Sequence, residues 1–177
     1  MSPFLLRQFH ATQEQQREIV SSIEGLSAAQ RAWKDRPDTW SPLQIAEHLI
    51  LSYETVGSRE WAQAQREASG KRPRAYPVRL QLVLWAMQRN ISLPLPSPAV
   101  EPLGSTPWPQ LQERWQAASS QMRDSLELPG AARRSSRPFD HPIVGALSAR
   151  EMLRLNQVHN AYHLRQLKAL LLRVPLT

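Results

Sequence analysis

One amphipathic stretch, Leu147 to Arg173 (LSAREMLRLNQVHNAYHLRQLKALLLR), most limits what this chain can fold into. Its start is marked twice. Ser148 stands three residues before Glu151, the spacing of a capping box that satisfies free N–H groups at a helix N-terminus, and Leu147 and Met152 flank it at hydrophobic-staple spacing. Wound at about 100° per residue, the stretch puts Met152, Leu155, His159, His163, Gln166, Leu167 and Leu170 on one face. Arg150, Arg154, Arg165 and Lys168 fall on the other. A helix of this kind must bury its apolar stripe against other helices, and both histidines go in with it. Positions i and i+4 lie one turn apart and lean the same way, near enough for two imidazoles to share an ion. Two hydrogen-bonded core histidines would show the same spacing.

The chain of 177 residues is read as one domain, 1–177, around a single core. It has no cysteine, which excludes disulfides, thiolate zinc sites and cysteine nucleophiles. The N-terminus MSPFLLRQFHATQEQQRE lacks a basic start followed by a long apolar run, and no stretch has the length to cross a bilayer. A soluble, cytoplasmic protein without a membrane partner is the expectation. The net charge of +7 reflects 22 basic residues against 15 acidic ones. Apart from Arg133, Arg134 and Arg137 and the run from Arg66 to Arg79, the arginines are scattered, and none alternates with aromatics. A solvated surface therefore takes precedence over nucleic-acid binding.

Six glycines and fifteen prolines, with few alternating β-branched runs, indicate helices separated by proline breaks. The first helix is predicted from Pro3 to about Glu24, with Ser2 as N-cap and Gly25 as stop. A short turn at Ser27 to Gln30 follows, with Trp33 anchoring it. The second begins at Ser41-Pro42, where Gln44 closes a capping box and Trp40 can staple to Ile45, and continues to about Glu67. The segment 69–106 is a proline-rich insert containing a short apolar helix within Pro77 to Asn90, suited to cover a bundle end or form a subunit interface. A third long helix runs from about Pro107 to Leu126 with Thr106 as N-cap, and Leu128 to Ala146 reads as loop. With the Leu147–Arg173 helix this makes four long helices, and an all-α four-helix bundle is the natural solution.

His48 lies two turns into the second helix, among Gln44, Ile45, Leu51, Ser52 and Thr55, a mixed face like the wall of a cavity. If that helix neighbours the last one, His48, His159 and His163 can converge. Three neutral imidazoles leave a metal an open position, as in catalytic zinc sites, and imidazole also suits nickel, iron and copper. Gln166 and Asn156 share the histidine face and are candidates to orient the rings, or core polar filler. Glu47 points about 100° away from His48 and is a weak candidate base. His141, before a proline, reads first as a turn residue, and His10 as surface or packing.

The stretch Trp40-Ser41-Pro42-Leu43-Gln44-Ile45-Ala46-Glu47-His48-Leu49 resembles the first signature of DinB-like proteins. His141-Pro142-Ile143-Val144-Gly145-Ala146-Leu147, followed by His159-Asn160-Ala161-Tyr162-His163-Leu164-Arg165-Gln166-Leu167, resembles their C-terminal signature. The resemblance implies a four-helix bundle with a divalent metal (zinc, nickel or iron) on three histidines, which map onto His48, His159 and His163. It further implies a metal-dependent hydrolase, or a transferase or isomerase using a low-molecular-weight thiol, acting on a small-molecule substrate. A homodimer is expected from that likeness together with the helix surfaces and apolar insert. Two other readings stand beside it: a non-catalytic bundle that associates through Pro77 to Asn90, its metal structural or vestigial, and an arginine-rich nucleic-acid binder.

Overall fold

The structure is a computed structural model that describes residues 1–55, 63, 67, 76–128 and 137–175. Helix α1 spans Pro3–Glu24, with the Ser2 hydroxyl accepting from the Leu5 N–H and Gly25 as C-cap. The short α2, Ala28–Ala32, carries a complete Ser27/Gln30 capping box, and Trp33 packs behind it against the core. Helix α3 is Pro42–Thr55. Ser41 Oγ accepts from the Gln44 N–H at 3.2 Å and Gln44 Oε1 accepts from the Ser41 N–H at 3.2 Å. The expected continuation to Glu67 falls mostly outside the described residues; beyond Thr55, Gln63 and Glu67 are described, and both are helical. So do Arg133, Arg134 and most of the run from Arg66 to Arg79.

The insert holds helix α4, Pro77–Gln88, and a 3₁₀ turn at Pro98–Val100. Helix α5 is Trp108–Glu127 and helix α6 is Ala149–Leu171, the latter begun by the Ser148/Glu151 box. Around the bundle α6 packs on both α1 and α3, α5 packs on both α3 and α1, and α4 lies against α6. The described residues are thus all-α apart from one small hairpin. Cross-ties fix α3 in place: Arg114 on α5 grips Glu54 with two bonds of 2.9 and 2.6 Å, and Asn160 on α6 donates to the Tyr53 hydroxyl at 3.0 Å.

Two expectations are corrected. Leu128 to Ala146 is not all loop: Phe139–His141 (β1) pairs antiparallel with Gly145–Leu147 (β2). Gly145 closes the turn at φ 71, and Phe139, Val144 and Leu147 plug the core beside Leu5 and Phe9. Nor is Thr106 the cap of α5, which starts at Trp108 with Pro107 in the cap position. Thr106 Oγ1 instead donates to Glu47 Oε1 at 2.8 Å, because a carboxylate only 3% exposed needs donors close by.

Glu47 also accepts from the Gly104 N–H at 2.6 Å, and Gln44 Nε2 donates to the Pro102 carbonyl at 3.3 Å. The chain from Val100 to Thr106 is thereby strapped along α3. Gly104 sits at φ +73, and a Cβ there would lie 2.8 Å from Gln44 Cγ. Gly104→Ala is expected to lower the unfolding free energy by about 1–2 kcal/mol, from the left-handed backbone alone. Urea denaturation measures it, and unchanged stability would refute the strap.

Candidate metal centre

Helix α3 presents His48 and helix α6 presents His159 and His163, and the contact of these two helices brings the rings together. His48 Nε2 lies 3.2 Å from His159 Nε2, and His163 Nε2 lies 3.0 Å from the same atom. All three nitrogens fall within 4.8 Å of one another. His48 and His163 are buried and His159 half-buried.

Their remote nitrogens fix the tautomers. His48 Nδ1 is 2.7 Å from the Val100 carbonyl and His163 Nδ1 is 2.8 Å from Gln166 Oε1. Both oxygens can only accept, so each Nδ1 carries its ring's proton and donates it. Two bare Nε2 lone pairs are therefore aimed at His159 Nε2, which has at most one proton to offer. Hydrogen bonding leaves at least one lone pair facing another; a cation satisfies all three. An ion bonded to nitrogen at about 2.0–2.1 Å in tetrahedral or octahedral array sets its ligands about 2.9–3.4 Å apart, and the two short separations here fit that range.

The cluster forms part of the wall of a cleft of about 660 Å³. Trp40 covers it, its ring 4.6 Å from that of His48 and stacked at 26° on His163, 5.8 Å away. Met87 and the run Leu93 to Pro96 also line the cleft, as do the ion-paired Arg173 and Asp35 (2.7 Å) and Arg36 and Asp38 (3.5 Å).

A family model of the DinB superfamily matches residues 9–167, nearly the whole chain and the insert with it. The chain belongs to the DinB superfamily. No curated protein and no solved structure matches it.

In this DinB superfamily chain the neighbouring residues sort themselves around the three imidazoles. Gln166 takes the orienting role for His163. Asn156 touches none of the three rings by a hydrogen bond; it lines a small chamber beside them. Glu47 is engaged by the strap and faces away from the nitrogens, so it is no base here. His10 is exposed in a groove between α1 and α5. His141 closes the chamber with Asn156. Spacing along the helices gave no sign of Val100, whose backbone carbonyl any residue could supply. The stacking of Trp40 was equally hidden behind its role as a staple.

Burial disfavours the charged form of each ring. It lowers His48 from 6.5 to about 4, partly offset by the bond to Val100, and lowers His141 to about 4. His159 and His163 are held well below their ordinary value, by burial first and then by the neighbouring imidazoles. An unfolded chain protonates His48 and His141 near 6.5, whereas the folded one refuses those protons down to about 4. Folding stability is then fully present above 6.5 and is lost as pH falls toward about 4. Denaturant midpoints measured across that window with a chelator present should fall steadily, and a flat profile would contradict the buried neutral rings.

Proposed function

We propose that the protein is a metal-dependent enzyme acting on a small molecule, with His48, His159 and His163 as ligands of one divalent ion. The observation that supports this most is the pair of tautomers fixed by Val100 and Gln166, which turn two bare Nε2 atoms onto His159. Zinc, nickel and iron all accept such a donor set. Held by His48, His159 and His163, such an ion would lower the pKa of a bound water or thiol and would supply a nucleophile near neutral pH. The chain's own residues hold the imidazoles neutral, orient them through Val100 and Gln166, and shield one side with Trp40. Hydrolysis of a small substrate, or transfer to it of a low-molecular-weight thiol, is the chemistry that fits a cleft of about 660 Å³ beside such a site.

Elemental analysis of the purified protein is expected to find stoichiometric divalent metal, absent from His163→Ala. Metal-free unmutated protein would overturn the reading. Gln166→Leu removes the acceptor for His163 Nδ1–H, and metal affinity should fall roughly 10–100-fold in a competition titration.

A specific observation favours association as well. On α4 the residues Val78, Leu82 and Trp85 are 72%, 59% and 50% exposed on one face, the kind of apolar patch that marks an interface. In this reading a second copy of the chain covers it, and the bundle acts as a homodimer whether or not it does chemistry. Light scattering should give a dimer mass for the unmutated protein and a monomer mass for Trp85→Lys; a monomer in both would exclude it.

A further inference from the structure

Beside the three imidazoles lies a chamber of about 50 Å³, several times the space one water needs. It shares His48 and His159 with the main cleft. Val83, Leu93, Ile143 and Leu155 make it largely apolar, while Ser52, His141 and Asn156 bring it polar groups; the Ser52 hydroxyl donates its hydrogen to the His48 carbonyl at 2.9 Å, which leaves His141 and Asn156 as the donors.

Both of these groups have hydrogens to give. His141 Nδ1 accepts from the backbone N–H groups of Ile143 at 3.2 Å and Val144 at 3.4 Å, at the turn of the hairpin. A ring that accepts at Nδ1 is neutral and carries its proton on Nε2. His141 is half-buried, and among the described residues its hydrogen bonds are the two at Nδ1, with none at Nε2. Asn156 is 8% exposed and its Nδ2 has no hydrogen-bond partner. A buried amide N–H left without an acceptor costs free energy and calls for an explanation.

We propose that the chamber is an oxygen-acceptor subsite, in which His141 Nε2–H and Asn156 Nδ2–H donate to a carbonyl or carboxylate oxygen of the substrate. The proposal rests on the metal-dependent reading above and narrows its substrate class. Two neutral donors in an apolar recess suit an atom that carries negative or partial negative charge and has no hydrogen of its own. The volume leaves room for a short aliphatic flank and nothing bulky. Small carboxylates, esters or carbonyl compounds meet both requirements, with the reacting part of the molecule in the main cleft against the imidazoles. A water molecule is the competing occupant, since it too can accept from both donors.

The test uses the full chain loaded with Co²⁺, whose visible spectrum reports ligands entering its coordination sphere. Two probes are compared: acetate, which has the acceptor oxygens, and ethanethiol, which has none. His141→Asn retains an acceptor for the two turn N–H groups and loses the Nε2–H; Asn156→Leu keeps the side-chain size and loses the amide. Each variant should take up Co²⁺ like the unmutated protein, bind ethanethiol unchanged, and bind acetate about tenfold more weakly, the loss of one hydrogen bond to a charged acceptor. The subsite is overturned if acetate fails to bind the loaded unmutated protein, if both variants bind it as well as that protein does, or if both probes weaken together. Failure of the unmutated protein to take up Co²⁺ is a different result: it removes the metal-dependent reading, and the subsite falls with it.

Discussion

Everything distinctive about this bundle depends on α3 and α6 lying side by side closely enough for His48 to meet His159. Taking three imidazoles out of water is unfavourable unless their polar atoms are satisfied, and the two buried rings have their Nδ1 hydrogens bonded to oxygen. The helix contact is supported away from the rings as well by Asn160 on Tyr53, while Arg114 ties α3 to α5 through Glu54. The latter pair is about 30% exposed on each side, so solvent screening leaves it a modest contribution. Apolar packing of Ile45, Leu49, Leu164 and Leu167 does the larger part of holding the helices together.

The strap from Val100 to Thr106 explains why a glutamate next to the first histidine is buried without being chemical. Glu47 faces the strap and His48 faces the cleft, one step around the same helix. Its carboxylate fixes the loop, and the loop delivers the carbonyl that orients His48. Charge, backbone conformation at Gly104 and imidazole orientation are thus linked through a few contacts in the insert.

Much of this was legible in the sequence, and physical reasons separate what was from what was not. Helix starts at Ser2, Ser27, Ser41 and Ser148 could be read because a cap is a local device, complete within four residues. The facing of His159 and His163 followed from helical periodicity, and Gln166 from its place one turn on. Thr106 misled because the spacing that suits a cap also suits a donor to a distant carboxylate, and only the fold decides which is used. The hairpin went unread because strands of three residues carry too little alternation to show, although Pro142 and Gly145 bracket its turn with residues suited to one. Val100, the stacking of Trp40 and the chamber at His141 are relations between segments far apart along the chain, and no local pattern encodes them.

The insert has one further consequence. All three ring nitrogens at the centre come from α3 and α6, whereas Met87, Leu93, Pro94, Leu95 and Pro96, which shape the cleft in front of them, come from α4 and the loop after it. The helices that bring the three imidazoles together and this part of the wall in front of them are thus carried by separate pieces of polypeptide. Residues 90–96 can accordingly be redrawn to admit different molecules while the imidazole cluster stays as it is, so long as the tether at Val100 is left in place.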